Sequence, residues 1–350
     1  MPRLLLCLLA LTSSLPAAKE PIQVFRVEGL VSPVGLAFDT EGDAYVLESV
    51  LTNRILKVQG AQTEHVSGIR WAGGPKGSEP PRQAKRLDPA PAVYHGLGDI
   101  AVGPDGSIYA SDSFQHRIVR LDPKSHAVTV FAGTGRAGFS GDGGPASDAR
   151  FDIPCGIGID PSGKSLVVAD LGNHRVRRID LSTQVVTTLA GNGQQGLPKD
   201  GAEALTAPMD YVRGVCVAKD GTVYALLIRT DALVAIKDGK VEVVVNKDGK
   251  SGPAADSPAA DARMNKPKHI ALDARDNVLI ADTENHCVRL FDPTRKTIRT
   301  IAGNGQAGDA VGADWATTRL NRPLGTRIGR DGRLYVADSE NNRILVGPAP

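Results

Sequence analysis

Apolar and polar residues alternate in short runs along this chain, and turn-forming residues separate the runs. In a clear copy of the pattern, residues 154–159 alternate and a Pro-Ser-Gly turn follows at 161–163. A second apolar run, 166–170, ends in Ala-Asp, and a Gly-Asn-His turn at 172–174 leads into a third run at 175–179. Period-two apolarity split by such turns is typical of an antiparallel β-meander.

The residue that ends the second run of this pattern recurs at an almost constant spacing. The steps between copies are 64, 58, 57, 55 and 56 residues, which indicates one structural unit repeated six times. Small sheets of this kind bury both faces only against neighbouring copies. We therefore predict an all-β fold, a six-bladed β-propeller of four-stranded antiparallel blades. The aligned residues are Glu48, Asp112, Asp170, the divergent Leu227, Asp282 and Asp338.

The ends of the chain predict how the ring closes. The last repeat stops after its third strand at 343–346, whereas an unmatched strand at 22–27 precedes the first repeat. This strand is expected to complete the last blade, because closure removes an exposed sheet edge. Between the blades, similar loops that begin with Asp recur at 142–151 and 256–264, and we expect them to lie on one face.

Residues 1–18 have the pattern of a secretory signal peptide. Arg3 precedes an apolar run at 4–11, and small residues follow at 16–18. The run is too short to span a bilayer, which needs about 20 apolar residues. We expect a protein without a membrane span, secreted or periplasmic, whose residues 19–350 form a single propeller domain.

Charge and cysteine content narrow the function classes. The 41 Lys and Arg against 39 Asp and Glu give a formal charge of +2, without long runs of one sign. This argues against a nucleic-acid-binding surface, whose affinity grows with the phosphates it neutralises. Outside residues 1–18 the cysteines are Cys155, Cys216 and Cys287, an odd number that permits at most one disulfide. We expect a monomer that binds a small molecule, a glycan or a peptide.

The turn after the Ala-Asp strand end resembles that of the NHL repeat family. Asn and His or Arg stand at 173–174, 285–286 and 342–343, where the family carries its name-giving Asn-His-Leu turn. The segment 132–146 also looks like the linker of bacterial NHL proteins, and the resemblance extends over roughly residues 22–346. Blade four departs from it at 226–231. The resemblance implies a propeller that docks a partner on one face.

Two residues before the first strand of each repeat are expected near the mouth of the central channel. Four repeats place apolar or small residues there, apart from Asp99, and Cys155 belongs to this group. Repeats four and five place Arg213, Lys268 and His269 there, with Tyr211 just before. Since Arg can grip a carboxylate with two hydrogen bonds, we predict a site for an anionic sugar or peptide. The candidate binding residues are Tyr211, Arg213, Lys268, His269, Asp99 and Cys155.

An enzyme is the alternative hypothesis. Six-bladed gluconolactonases and related lactonases, and an NHL-like family of peptide-amidating lyases, bind metal at the channel mouth. A metal-dependent lactonase, other hydrolase or lyase would use Ca or Zn here, with Asp99, His95 and His269 as ligands. The sequence contains no recognisable catalytic motif, so no catalytic residue and no cofactor is assigned. The turn residues His116, His174 and His286 recur once per repeat and are interpreted as structural.

Overall fold

The apolar runs form six antiparallel sheets around a central channel. The computed structural model describes residues 20–25, 27, 29–49, 52–59, 62–68 and 96–349, so the predicted signal peptide and His95 lie outside it. Within these ranges, none of the helical turns has the length or the apolarity to cross a membrane. The all-β, six-bladed propeller that the sequence predicts is confirmed.

The strands are numbered in chain order and the blades by their inner strands. β1 (Gln23–Phe25) belongs to the last blade. Blade one contains β2 (Pro33–Phe38), β3 (Ala44–Glu48), β4 (Arg54–Gln59) and β5 (Gln62–Gly68). Blade two contains β6 (Leu97–Val102), β7 (Ile108–Asp112), β8 (Arg117–Leu121) and β9 (Val128–Ala132). Blade three contains β10 (Pro154–Ile159), β11 (Ser165–Asp170), β12 (Arg175–Asp180) and β13 (Val186–Ala190).

The second half of the ring continues in the same order. Blade four contains β14 (Val212–Val217), β15 (Val223–Leu227), β16 (Ala232–Lys237) and β17 (Lys240–Val245). Blade five contains β18 (Ser257–Pro258), β19 (His269–Leu272), β20 (Val278–Asp282), β21 (Cys287–Asp292) and β22 (Thr297–Ala302). Blade six contains β23 (Gly325–Ile328), β24 (Arg333–Asp338), β25 (Arg343–Pro348) and β1. Short 3-10 turns lie at Ser113–Gln115, Ala146–Asp148, Ala259–Asp261, Thr283–Asn285 and Ser339–Asn341.

The N-terminal strand closes the ring, as the sequence predicts. β1 pairs antiparallel with β25, with Val24 opposite Leu345 and Phe25 opposite Ile344. The Phe25 ring packs edge-on against Tyr335, with 5.4 Å between ring centroids. The inner strands β2, β6, β10, β14, β19 and β23 then contact each other in sequence around the channel, and β23 returns to β2.

The hydrophobic core is divided among the interfaces between blades. In the described residues each of six apolar clusters joins two neighbouring blades, for example Leu47 and Ile55 of blade one with Ile100 and Ile108 of blade two. A blade therefore buries both faces only inside the ring, which is why the repeat needs closure for stability.

The recurring turn residue links each of these blades to the next. His116, His174 and His286 adopt left-handed backbone conformations, with φ between 50° and 53°. Their Nδ1 atoms each accept a 3.2 Å hydrogen bond from a backbone N–H at the start of the following blade. The structural interpretation of these histidines is confirmed.

Candidate functional site

Bulges at the start of the inner strands shape the channel mouth. The pairing of β2, β6, β10 and β14 with their neighbours shifts by one residue near the beginning of each strand. Such bulges turn side chains away from the regular alternation of a sheet. We define the channel mouth by the six residues at or just before this point, which are Val34, Gly98, Cys155, Arg213, Lys268 and Leu324.

Arg213 and Lys268 bring two positive charges together at the mouth from adjacent blades. Both side chains are half-buried. Among the described residues, neither the guanidinium nor the ammonium group has a hydrogen bond or an ion pair. Burial and, after it, the positive charge of Arg213 lower the pKa of Lys268. The two side chains are therefore close enough to repel each other.

Two acids whose charges act on Lys268 are held by other partners. Glu284 accepts a 2.7 Å hydrogen bond from Arg322. Asp231 accepts hydrogen bonds from the Ser251 hydroxyl and from the backbone N–H of Lys266. Both carboxylates act on Lys268 only through space, so the Arg213–Lys268 pair keeps its positive charge uncompensated at hydrogen-bond distance.

Tyr211 lies at the edge of the mouth beside blade three. Its ring packs edge-on against His174, with 4.5 Å between centroids, and the guanidinium of Arg229 lies 5.6 Å from its centroid. Its hydroxyl accepts a 3.2 Å hydrogen bond from Gln195. Tyr211 therefore contributes an aromatic surface with one more cation close to it.

His269 is separated from Lys268 and crosses the channel axis instead. Its Nε2 lies 3.5 Å from Oδ1 of Asp99, which comes from the opposite blade two. Lys268 precedes β19 and His269 begins it, and the two side chains lie in different environments. The predicted trio is therefore two separate groups, the Arg213–Lys268 pair at the mouth and the Asp99–His269 pair within the channel.

The Asp99–His269 pair is almost inaccessible to solvent. Asp99 is 2% exposed and His269 4% exposed. Burial alone raises the pKa of Asp99, but the His269 imidazole, the Arg327 guanidinium and the N–H of Ile157 outweigh it and lower the pKa. Four of the six equivalent positions around the axis are glycine, which leaves room for these two side chains. These glycines are Gly35, Gly156, Gly214 and Gly325.

Cys155 is packed between blades two and three. Its side chain is 5% exposed, and its Sγ lies 3.8 Å from the hydroxyl of Ser113. The backbone carbonyl of Cys155 accepts a hydrogen bond from Ser111. The structure thus places Cys155 beneath the mouth surface, as a small buried residue that joins two blades.

The family is visible in direct comparisons with known proteins. The sequence model of the NHL repeat matches residues 264–291 and 320–346. NHL repeat-containing protein 2 from Gallus gallus is 25% identical over 352 residues, covering 74% of this chain, and the human protein of that name is also 25% identical. The chain therefore contains NHL repeats and is similar to NHL repeat proteins over most of its length. It spans about half the length of these relatives, since 47% of each is covered.

Solved structures with the same fold include binding proteins and lyases. An auxiliary nutrient binding protein from Bacteroides thetaiotaomicron superimposes on 93% of this NHL propeller, with a TM-score of 0.65 and 16% identity over 71% of that chain. A streptogramin B lyase covers 94% of it, with a TM-score of 0.53 and 14% identity over 97% of that chain. At these identities the likeness concerns the fold.

The hypothesis of a metal-dependent enzyme requires several metal ligands, and the described part of the NHL propeller has few of them at the channel mouth. Asp99 and His269 do lie together, while His95 lies outside the described residues. Those residues contain no group of three or more His, Cys, Asp or Glu side chains arranged to hold a metal ion. Zinc sites use at least three protein ligands, and calcium takes six to eight oxygens. We therefore derive no metal chemistry for the NHL propeller.

Sequence reasoning missed Arg327, which also lies in the channel of the NHL propeller. It is the third residue of β23, and its guanidinium is close enough to Asp99 to lower the pKa of that carboxyl. The signal was available, because the five other blades carry a small residue at the equivalent position. These are Ala37, Ala101, Gly158, Cys216 and Ala271, each paired with a second strand at the same register as Arg327 with Tyr335.

Proposed function

We propose that this NHL propeller is an extracytoplasmic binding protein that holds an anionic sugar or a peptide carboxylate at the channel mouth. One observation carries the proposal. Arg213 and Lys268 come from adjacent blades, are half-buried and repel each other, and no carboxylate of the described residues neutralises them at hydrogen-bond distance. A bound anion would relieve this repulsion.

The two cations have complementary roles in the proposed site. The planar guanidinium of Arg213 would bind a carboxylate through two parallel hydrogen bonds, which fixes the orientation of the ligand. The ammonium group of Lys268 would act as a point charge beside it. The ring of Tyr211 offers an apolar face of the kind that packs against sugars and side chains. The auxiliary nutrient binding protein of similar fold supports a binding role.

The site is tested by removing both charges. Binding of the variant Arg213→Ala/Lys268→Ala is measured on a panel of uronic-acid glycans, their neutral counterparts and peptides with free or amidated C-termini. We expect the protein to bind acidic members of the panel and the variant to lose at least tenfold in affinity, since a hydrogen bond to a charged group contributes about 1.5–3 kcal/mol. Lys164→Ala, at an exposed lysine in the turn between β10 and β11 of blade three, is the matched control.

Two outcomes would contradict the proposal. Equal binding by the protein and the double variant would exclude Arg213 and Lys268 as the anion site. Stoichiometric metal in protein purified without chelators would instead favour the lactonase or lyase hypothesis.

A further inference from the structure

The end of the channel opposite the mouth is built around one arginine. Blade six has Arg327 on its inner strand, and the other five blades have small residues at the aligned position. We call these six residues the Arg327 ring. They are Ala37, Ala101, Gly158, Cys216, Ala271 and Arg327, and all six line one cavity of about 250 Å³. Because five of these side chains are small, they leave a cavity beside the arginine side chain.

This cavity lies where the inner strands end. Its walls include the last residues of five of them, Phe38, Val102, Ile159, Val217 and Leu272. With a rise of about 3.3 Å per residue, Arg327 is roughly 10 Å along the channel from the mouth residue Leu324. The buried Asp99–His269 pair belongs to the layer between them. The Arg327 cavity is therefore separate from the Arg213–Lys268 pair.

Arg327 is the only charged residue among those that line the cavity. Among the described residues its guanidinium forms no hydrogen bond or ion pair, its Nε is buried without a partner, and the Asp99 carboxylate acts on it only through space. Burial raises the pKa of the Cys216 thiol, so this neighbour stays neutral. A guanidinium without a hydrogen-bond partner beside small and aliphatic side chains favours a ligand that has one negative charge and a short apolar part.

We propose that the Arg327 cavity binds a small aliphatic monocarboxylate. The carboxylate would accept two hydrogen bonds from Arg327, and the short aliphatic tail would contact side chains such as Val102, Val217 and Leu272. A cavity of about 250 Å³ is small, so we expect short aliphatic carboxylates of about four to six carbons to be its best ligands.

The chain length of the ligand provides the first test. Titration calorimetry with acetate, butyrate, hexanoate and decanoate should show affinity that rises up to hexanoate and falls for decanoate. The expected gain is about fourfold for each methylene that enters the cavity. Hexanol, which lacks the charge, should bind at least tenfold more weakly than hexanoate. No detectable hexanoate binding, or equal binding of hexanol, would overturn the proposal.

Single substitutions test whether hexanoate binds at Arg327. Arg327→Gln should weaken hexanoate binding at least tenfold, whereas Arg330→Gln, an exposed arginine three residues later, should leave it unchanged. The 15N resonance of Arg327 Nε gives a measurement on the unaltered protein, with Arg327→Lys identifying the signal by its loss. We expect this resonance to shift on addition of hexanoate, and an unshifted resonance at saturation would refute the assignment even if Arg327→Gln does not fold.

The two proposed sites can fail independently. Arg213→Ala/Lys268→Ala should bind hexanoate as the unaltered protein does, and Arg327→Lys should keep its binding to acidic glycans or peptides. Loss of hexanoate binding in the double variant would place the carboxylate at the mouth and overturn the Arg327 site.

Discussion

Replacing Arg177 with methionine tests the buried charge network of blade three. Arg177 is 0% exposed. Its guanidinium donates a 2.8 Å hydrogen bond to Asp142 and a 3.3 Å one to Asp170, which is also 0% exposed. Phe139 and Phe151 cover it, with ring centroids 4.8 and 5.2 Å from Cζ. Methionine fills a similar apolar volume but leaves Asp170 without its buried cation.

The expected cost is large because one buried charge loses its partner. Removing one member of a buried ion pair destabilises proteins by about 3–5 kcal/mol. The neighbouring Arg178 is exposed, so Arg178→Met should change the free energy of unfolding by less than about 0.5 kcal/mol. In Asp170→Asn/Arg177→Met the unpaired charge is absent, and part of the lost stability should return.

The same substitution predicts a pH dependence with a definite sign. Burial raises the pKa of Asp170 from 3.8 to about 6, against the lowering by Asn173, by the N–H of Asp152 and by Arg177. A carboxyl group with a raised pKa favours the folded state at low pH, and this contribution is lost as the pH rises through about 6. Without Arg177 the pKa of Asp170 rises further. The deficit of Arg177→Met should therefore be larger at pH 8 than at pH 5.

Urea unfolding followed by circular dichroism at pH 5 and pH 8 measures these differences. The protein, Arg177→Met, Arg178→Met and the Asp170→Asn double variant are compared by their unfolding midpoints and slopes. If Arg177→Met is no less stable than Arg178→Met at pH 8, or if its deficit is larger at pH 5, the assignment of Asp170 as a buried charge held by Arg177 is wrong.

Two further predictions concern the channel. Gly156→Ala should cost about 1–3 kcal/mol and weaken ligand binding at Arg213, because the new Cβ would lie 2.6 Å from Cα of Gly214 and 2.8 Å from the carbonyl of Arg213. Thermal melting measures the loss of stability, and the glycan panel measures the loss of binding. An equal effect from Gly158→Ala, where the nearest atom to the new Cβ is 3.4 Å away, would contradict this prediction. Asp99→Asn should cost about 1–3 kcal/mol at pH 7. Since the pKa of Asp99 is lowered below 3.8, this cost should disappear as the pH falls below that value. A cost that stays the same in urea titrations from about pH 4 to pH 2 would argue against an Asp99 that is ionised in the folded protein.

The repeat made most of the fold predictable from sequence. Its constant period located the second strands, since the aligned residues from Glu48 to Asp338 all end them. It also aligned the channel positions correctly, because Asp99 and His269 occupy equivalent places in opposite blades. Comparison between repeats therefore located both the strand ends and the channel positions.

The side-chain environment of the site was less accessible to sequence reasoning. Lys268 and His269 are adjacent in sequence, and the chain alone does not show that one lies at the mouth while the other crosses the axis. Arg327 follows a strand position that is small in five blades, but the cavity that gives this exception meaning exists only when all six strands meet. The direction of a side chain depends on neighbours brought together by closure.

The loops between blades make contacts that the sequence pattern had not suggested. The loop after blade two accepts a 2.8 Å hydrogen bond at the Ala146 carbonyl from Gly133, and the Ala146 N–H donates at 2.8 Å to Gln184 beside the outer strand of blade three. Ala204 and Ala259 repeat this arrangement in the next two loops. The side chains of all three alanines are buried between blades, so these loops do more than cover a face.

These loops act as clasps, and this determines how the ring could be re-engineered. Because each clasp bonds to the blade before it and the blade after it, a segment one repeat long is not a self-contained module. Exchanging blade three between two such proteins would disrupt a clasp at each of its boundaries, however well the strands themselves matched. A chimera would have to carry compatible loops on both sides, which makes pairs of neighbouring blades the smallest practical unit of recombination.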